Sequence, residues 1–158
     1  MEERYCHIED LLNTPYWVVD PLPEQVPAGS PGQYFEIERY YLEKKRLRKL
    51  HRRFLDILLK LNCFFDIEVC GFAGESEGCW EENPAPGDLA RLLKNLYAPP
   101  ESGDRIGTIN ILFRSEDALV VLNNDDLCMT VYHPTEKLLQ MLKEISAAAG
   151  LFVWQPIQ

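Results

Sequence analysis

The chain has 158 residues, of which 46% are hydrophobic and 26% are charged, and its formal net charge is −9. This composition is that of one globular domain with enough apolar residues for its own core, and it excludes a disordered segment. The excess of acid opposes binding to phosphate backbones or anionic membranes, except through a locally basic surface.

The cysteines and the apolar stretches bear on the cellular compartment. Five cysteines, an odd number at irregular spacing, are typical of reduced cytosolic thiols. We expect Cys63, Cys70 and Cys128 to be buried in strands. The first ten residues lack the pattern of a signal peptide, and no apolar run reaches the ~18 residues that span a bilayer. We therefore expect a cytoplasmic protein with no membrane segment.

The N-terminal part of the chain predicts short elements joined by a proline-rich segment. Residues 7–13 have the apolar spacing of a helix, and residues 16–19 are typical of a strand. Residues 20–32 contain four prolines and two glycines, so we expect an extended crossing over the surface. Residues 33–42 fit either an alternating strand or a helix that extends the apolar stripe of the next element, and their length favours the helix.

Residues 43–62 carry the clearest helical periodicity in the chain. Apolar side chains recur there at steps of three, four and seven, which lines one helical face. The other faces carry seven of the sixteen basic residues within positions 44–53, which hold no acid, and this leaves nine basic residues against 25 acidic ones elsewhere. The apolar stripe consists of Leu47, Leu50, Phe54, Ile57, Leu58 and Leu61.

The middle of the chain predicts a strand, a loop and a second amphipathic helix. In residues 63–70 apolar and polar side chains alternate, and aromatic and branched side chains are frequent, which is typical of a strand. Residues 71–87 are rich in glycine and glutamate and predict a long acidic loop. Residues 88–97 return to helical spacing, and the prolines that follow end the helix.

The last third of the chain predicts a three-stranded β-meander followed by a helix. Four-residue polar connections of the kind that favours turns separate its apolar strands. The helix begins near Pro134 and ends at Gly150, after which residues 151–154 can rejoin the sheet. The three strands of the meander are residues 109–113, 118–122 and 127–132.

Together these elements predict a single α+β domain. We expect an antiparallel sheet that contains the three-stranded meander and is packed on one face by the long basic amphipathic helix and the C-terminal helix. The segregation of strands from helices argues against a doubly wound nucleotide-binding fold.

The basic side of the long helix is the first candidate site. Phosphates, an acidic protein partner or an anionic membrane could bind it, whereas a solvated surface without a partner is the plain alternative. No nucleic-acid-binding motif accompanies the charges, and no aromatic residues flank them for a membrane interface, so a protein partner is favoured. We expect the contacts to come from Lys45, Lys49, Arg52 and Arg53.

The acidic segment 74–82, here called the Trp80 loop, is the second candidate site. Acidic side chains around one aromatic residue could anchor a basic partner through Trp80, Glu81 and Glu82, as in an acidic inhibitor of a basic protein. The alternative is a mobile loop whose tryptophan packs back on the core.

Catalytic, metal and cofactor motifs are missing. No Cys-x-x-Cys, His-x-x-x-His, calcium-loop or glycine-rich phosphate-binding spacing occurs, so we predict no metal and no cofactor and assign no catalytic residue. An enzyme of unrecognised type would use Glu75, Glu77 or His133 as its acid or base.

The charge partition favours a non-enzymatic protein-binding module of a regulatory or inhibitor-like kind. Its partner would be another protein, or a second copy of the chain whose acidic body meets the basic helix. An enzyme of unrecognised type and weak nucleic-acid binding through the basic helix are the alternatives.

Overall fold

A computed structural model of the protein describes residues 2–96 and 98–157. Over these residues the chain forms five helices and eight strands in one α+β domain. The helices are α1 Glu2–Leu12, α2 Tyr34–Tyr41, α3 Lys44–Asn62, α4 Pro86–Asn95 and α5 Glu136–Ala148. The strands are β1 Tyr16–Asp20, β2 Ile67–Ala73, β3 Ser76–Glu77, β4 Glu81–Glu82, β5 Thr108–Phe113, β6 Ala118–Asn123, β7 Met129–Tyr132 and β8 Phe152–Trp154.

All eight strands belong to one antiparallel sheet. Their order is β3-β2-β5-β6-β7-β1-β8, and β4 also pairs with β2 beside β3. The β5–β6–β7 part is the predicted meander, held in register by pairs such as Ile111 opposite Val120. The predicted strands at 16–19 and 151–154 are confirmed as β1 and β8, which pair with each other at the far edge.

The two faces of the sheet are covered unequally. Helices α3, α4 and α5 pack on one face and enclose the main core, so the predicted packing of the long and C-terminal helices is confirmed. The other face is covered by α1, whose Ile8 and Leu11 contact Leu112 and Leu119 in a smaller cluster. None of the helices within the described ranges is long and apolar enough to cross a membrane.

Helix α3 is the centre of the main core. Its predicted apolar stripe is buried, with Phe54, Ile57 and Leu58 fully inaccessible to solvent. Burial of each such side chain is worth about 1.5–3 kcal/mol relative to its exposure, which fixes the helix on the sheet. The opposite side of α3 therefore has to face solvent.

Residues 33–42 form a helix, as their length predicts, but α2 does not extend the stripe of α3. Glu43 adopts an extended backbone conformation with ψ 131°, which changes the direction of the chain between the two helices. As a result no residue of α2 is buried. Phe35 is 75% exposed, and Ile37 and Tyr40 are also exposed.

The strand predicted at residues 63–70 begins four residues later, at Ile67. The amide groups of Phe64 and Phe65 both donate to the carbonyl oxygen of Leu61, so the chain stays in helical turns beyond α3. Cys63 lies at the exposed end of this helix, and its predicted burial was wrong. Cys70 is buried as predicted, and Cys128 is half-buried.

Helix α1 begins at Glu2, five residues before the predicted start at residue 7, while α4 and α5 begin within two residues of their predicted starts. Helix α4 begins at Pro86, and the predicted end at Tyr97 lies outside the described residues. In α5 the Thr135 hydroxyl accepts a hydrogen bond from the Leu138 amide at the N-terminus. Gly150 follows the helix with φ +76°, the left-handed conformation that ends helices.

Candidate functional site

The four basic residues singled out from the sequence all lie on the solvent side of α3. Lys45, Lys49 and Arg52 follow one another at steps of three and four, and Arg53 lies beside them. We call these four residues the α3 patch. All four are exposed, and none of them forms a salt bridge with a carboxylate within residues 2–96 and 98–157.

Two other arginines, Arg46 and Arg114, do have carboxylate partners. Arg46, at the edge of α3, pairs with Glu43 and lies with its guanidinium carbon 3.5 Å from the centroid of the Tyr40 ring. Arg114 pairs with Glu68 and Glu82 at 3.3 and 3.2 Å. Arg46 and Arg114 are thus neutralised within the fold, whereas the cations of the α3 patch have no salt bridge to a described carboxylate.

A cleft of about 310 Å³ separates α3 from α4, on one side of the α3 patch. We call it the α3–α4 cleft. Arg48 and Arg52 approach it from α3 and Lys94 from α4, while Leu55 and Leu93 supply apolar lining. The cleft is a feature of helix packing that the sequence does not reveal.

His51 also lines the α3–α4 cleft and is 2% exposed. Burial lowers the pKa of His51 to about 4, although a backbone hydrogen bond with Asp126 opposes the shift. The imidazole is therefore neutral at pH 7 and packs as an aromatic ring, with its centroid 5.2 Å from that of Phe54.

Within the Trp80 loop, Trp80 itself lies on the opposite side of the sheet from the α3 patch. Trp80 is half-buried and packs against the small cluster beneath α1. Its indole nitrogen donates to the Glu77 carboxylate, which also accepts a hydrogen bond from Tyr5. These two hydrogen bonds lower the pKa of Glu77. The tryptophan is therefore attached to the fold through α1.

Glu81 and Glu82 form β4 and project to different faces of the sheet. Glu82 lies opposite Glu68 in the register, on the side of α1, and pairs with Arg114. Glu81 lies opposite Val69 and lines a groove beside α4. The structure therefore divides Trp80, Glu81 and Glu82 between two surfaces, and it places Trp80 and Glu82 away from the α3 patch.

Glu68 is a charged residue that the sequence analysis passed over. It is 8% exposed, and its carboxylate forms salt bridges with Arg4 at 3.2 Å and with Arg114 at 3.3 Å. Glu68 occupies a polar position in a strand of alternating apolar residues, and this position could have indicated its role. If a helix covers that face of the sheet, the buried carboxylate has to form ion pairs with basic side chains. This pair of contacts ties α1 to the end of β5.

The residues considered for acid–base chemistry are dispersed. Glu75 is exposed between β2 and β3, and His133 follows β7, which β5 and β6 separate from β2 in the sheet. The Nδ1 atom of His133 lies 2.9 Å from the carbonyl oxygen of Asp117. Glu75, Glu77 and His133 line neither the α3–α4 cleft nor the groove beside α4. Within the described ranges, no group of three or more histidine, cysteine, aspartate or glutamate residues could hold a metal.

Comparison of the chain with protein-family profiles, curated protein sequences and solved structures found no match. Among the surfaces of the fold, the α3 patch has exposed charges without internal partners, and the α3–α4 cleft is a concave site beside it.

Proposed function

We propose that the protein is a non-enzymatic binding protein, regulatory or inhibitor-like, that docks an acidic segment of a partner protein on the α3 patch. One observation carries the proposal: Lys45, Lys49, Arg52 and Arg53 are exposed and form no salt bridge with any described carboxylate, in a chain of net charge −9. The chain has 25 acidic residues, yet none of those that the structure describes forms a salt bridge with these four cations.

The position of the charges along α3 supports the same conclusion. The first turn of the helix is basic and contains no acid. Positive charge at a helix N-terminus opposes the helix dipole, at a cost of about 0.3–1 kcal/mol for each charge near the end. Lys45 of the α3 patch lies in this turn, so an acidic partner would relieve its conflict with the dipole as well as the repulsion between the like charges along the patch.

A protein partner fits better than nucleic acid or a membrane. The chain outside positions 44–53 has nine basic and 25 acidic residues, and this acidic body would lie close to any extended polyanion bound on α3. An acidic protein segment of limited length can contact the patch without meeting that body. We also place the protein in the cytoplasm, which its five unpaired cysteines support.

A second copy of the chain is the alternative occupant of the patch, because its acidic surface has the required sign. Such a contact joins two different surfaces, so it would be heterologous and would give rings or open chains. Sedimentation velocity over a range of protein concentrations and salt distinguishes this case, since self-association of this kind grows with concentration and weakens with salt.

Affinity capture tests the proposed function. The tagged protein is incubated with lysate of its source cells, with and without nuclease, and bound proteins are identified by mass spectrometry. The proposal expects one acidic protein to be enriched in both samples and to be released by moderate salt. Enrichment that disappears after nuclease treatment would instead identify the α3 patch as a phosphate-binding surface and overturn the proposal.

A further inference from the structure

We propose that the α3–α4 cleft binds a small ligand that carries a carboxylate on an apolar body. This site shares Arg52 with the α3 patch but is otherwise distinct from it, and it does not depend on the partner-binding function. The inference rests on the charge, lining and size of the cleft.

The lining of the cleft is positively charged. Three cations, Arg48, Arg52 and Lys94, reach its lining, and no acidic residue does so within the described part of the chain. By contrast, carboxylates line four further clefts of the described chain, for example Glu68 in a cleft beneath α1 and Asp88 in the groove beside α4. In a chain with 25 acidic and 16 basic residues, this cleft concentrates positive charge.

Two cations of the cleft, Arg52 and Lys94, are available to a ligand. Arg52 and Lys94 are exposed and form no salt bridge with the carboxylates that the structure describes. They approach from two different helices, so an anion between them would contact both α3 and α4. Arginine presents a planar fork of donors that matches a carboxylate, and such charge-assisted hydrogen bonds are about twice as strong as neutral ones.

The inner part of the cleft is apolar. Leu55 and Leu93 line it together with the ring of His51, which carries no charge at pH 7 because its burial disfavours protonation. A fully hydrated anion such as phosphate would leave this surface unused. A ligand with an apolar body covers it while its charged group stays near the cations at the opening, which is the usual arrangement of small-molecule sites.

The volume of the cleft limits the size of the ligand. About 310 Å³ is at the lower end of the range for small-molecule sites. Roughly ten water molecules of bulk liquid fill such a space. A ring with a short carboxylated chain fits this volume.

Titrations of the whole protein followed by amide-resonance NMR test the proposal with phenylbutyrate as the probe. Its neutral analogue phenylbutyramide has the same shape without the charge, and butyrate has the charge without the ring. We expect saturable shifts from phenylbutyrate that are largest in α3 and α4, and binding about tenfold weaker for each of the two controls. Equal affinity for acid and amide, largest shifts elsewhere, or no saturable shift up to about 10 mM probe would overturn the proposal.

Substitutions at neighbouring positions of α3 provide the matched control. Arg52→Gln and Lys94→Gln each remove one exposed cation from the cleft, and we expect each to weaken phenylbutyrate about five- to tenfold. Arg53→Gln removes a charge from the α3 patch that does not line the cleft, and we expect it to leave the affinity unchanged. An equal effect of Arg52→Gln and Arg53→Gln would show general electrostatic attraction and overturn the site. Because phenylbutyrate binding requires no partner protein, the result is independent of the capture experiment.

Discussion

The guanidinium carbon of Arg4 lies 4.8 Å from the centroid of the Trp80 ring. This contact joins α1 to the Trp80 loop, whose indole also meets the ring of Phe72 edge-on at 6.4 Å. Trp80 thus closes the small cluster beneath α1. The residue most suggestive of an exposed partner anchor is therefore also part of the fold.

Replacement of Trp80 by alanine should lower the stability of the protein. The side chain is half-buried, so we expect the free energy of unfolding to fall by about 1–3 kcal/mol, below the range for a fully buried tryptophan. Urea unfolding followed by circular dichroism measures this change. Glu75→Ala in the same loop is the control, since Glu75 is exposed, and we expect it to lie within about 0.5 kcal/mol of the wild type. Equal effects of the two substitutions would contradict the packing described here.

Removal of Glu68 should be more damaging than removal of Glu82, although both contact Arg114. Glu68→Ala leaves the guanidinium groups of Arg4 and Arg114 without the buried carboxylate between them, and we expect a loss of about 1–3 kcal/mol. The side chain of Glu82 is 66% exposed, so Glu82→Ala should cost less than about 1 kcal/mol. Chemical denaturation of the two variants measures the difference, and the reverse order would refute the structural role of Glu68.

The buried His51 predicts a pH dependence of stability. Its pKa is lowered to about 4 from 6.5 by burial, so the unfolded chain binds a proton more readily than the folded one between these values. Stability should therefore decrease as the pH falls through this window, by about 2 kcal/mol between pH 7 and 5. Urea unfolding at several pH values measures this slope.

His51→Gln provides the control for that measurement, because it removes the titrating group and leaves the carboxylates in place. We expect the variant to lose most of the slope between about pH 7 and 5, whatever its stability at neutral pH. Identical slopes for the wild type and the variant would mean that His51 is not the group responsible.

Two glycines should respond oppositely to alanine. A Cβ atom at Gly78 would lie 2.9 Å from the carbonyl oxygen of Gly71, a backbone atom that also accepts the Gly78 amide hydrogen bond. Gly78→Ala should therefore displace the end of β2 from the loop and cost about 1–3 kcal/mol. Gly87 is near the start of α4 with nothing within 4 Å of its Cβ position, so Gly87→Ala should stabilise by about 0.5 kcal/mol. Thermal unfolding of the two variants measures the predicted loss of stability for Gly78→Ala and the predicted gain for Gly87→Ala.

The parts of the fold that were predictable depend on local patterns. The apolar stripe of α3 and the alternation of β5 to β7 reflect the periods of helix and strand, which can be read from consecutive residues. The exposure of Phe35 and Tyr40 could not be read in this way. It depends on the change of direction at Glu43, and the apolar spacing of residues 33–42 is the same whether or not that change occurs.

The two candidate sites also differ in how far local sequence patterns predict them. The α3 patch is a set of residues on one helix, so its position was predictable, and only its lack of salt bridges required the structure. The α3–α4 cleft combines Arg52 with Lys94, which are distant in the chain and meet only because both helices pack on one face of the sheet. No pattern of sequence spacing predicts that Arg52 and Lys94 lie close together.

The central claim is that the α3 patch binds an acidic partner protein, and charge reversal tests it most directly. The variant Lys45→Glu, Lys49→Glu, Arg52→Glu, Arg53→Glu is compared with a variant of equal net charge, Arg39→Glu, Arg91→Glu, Lys137→Glu, Lys143→Glu, whose positions are also exposed. The affinity of each for the purified partner is measured by calorimetry at one ionic strength. We predict that reversal of the patch weakens binding more than about tenfold while the control stays within about threefold. Equal affinities of the two variants would contradict the assignment of the α3 patch as the binding surface.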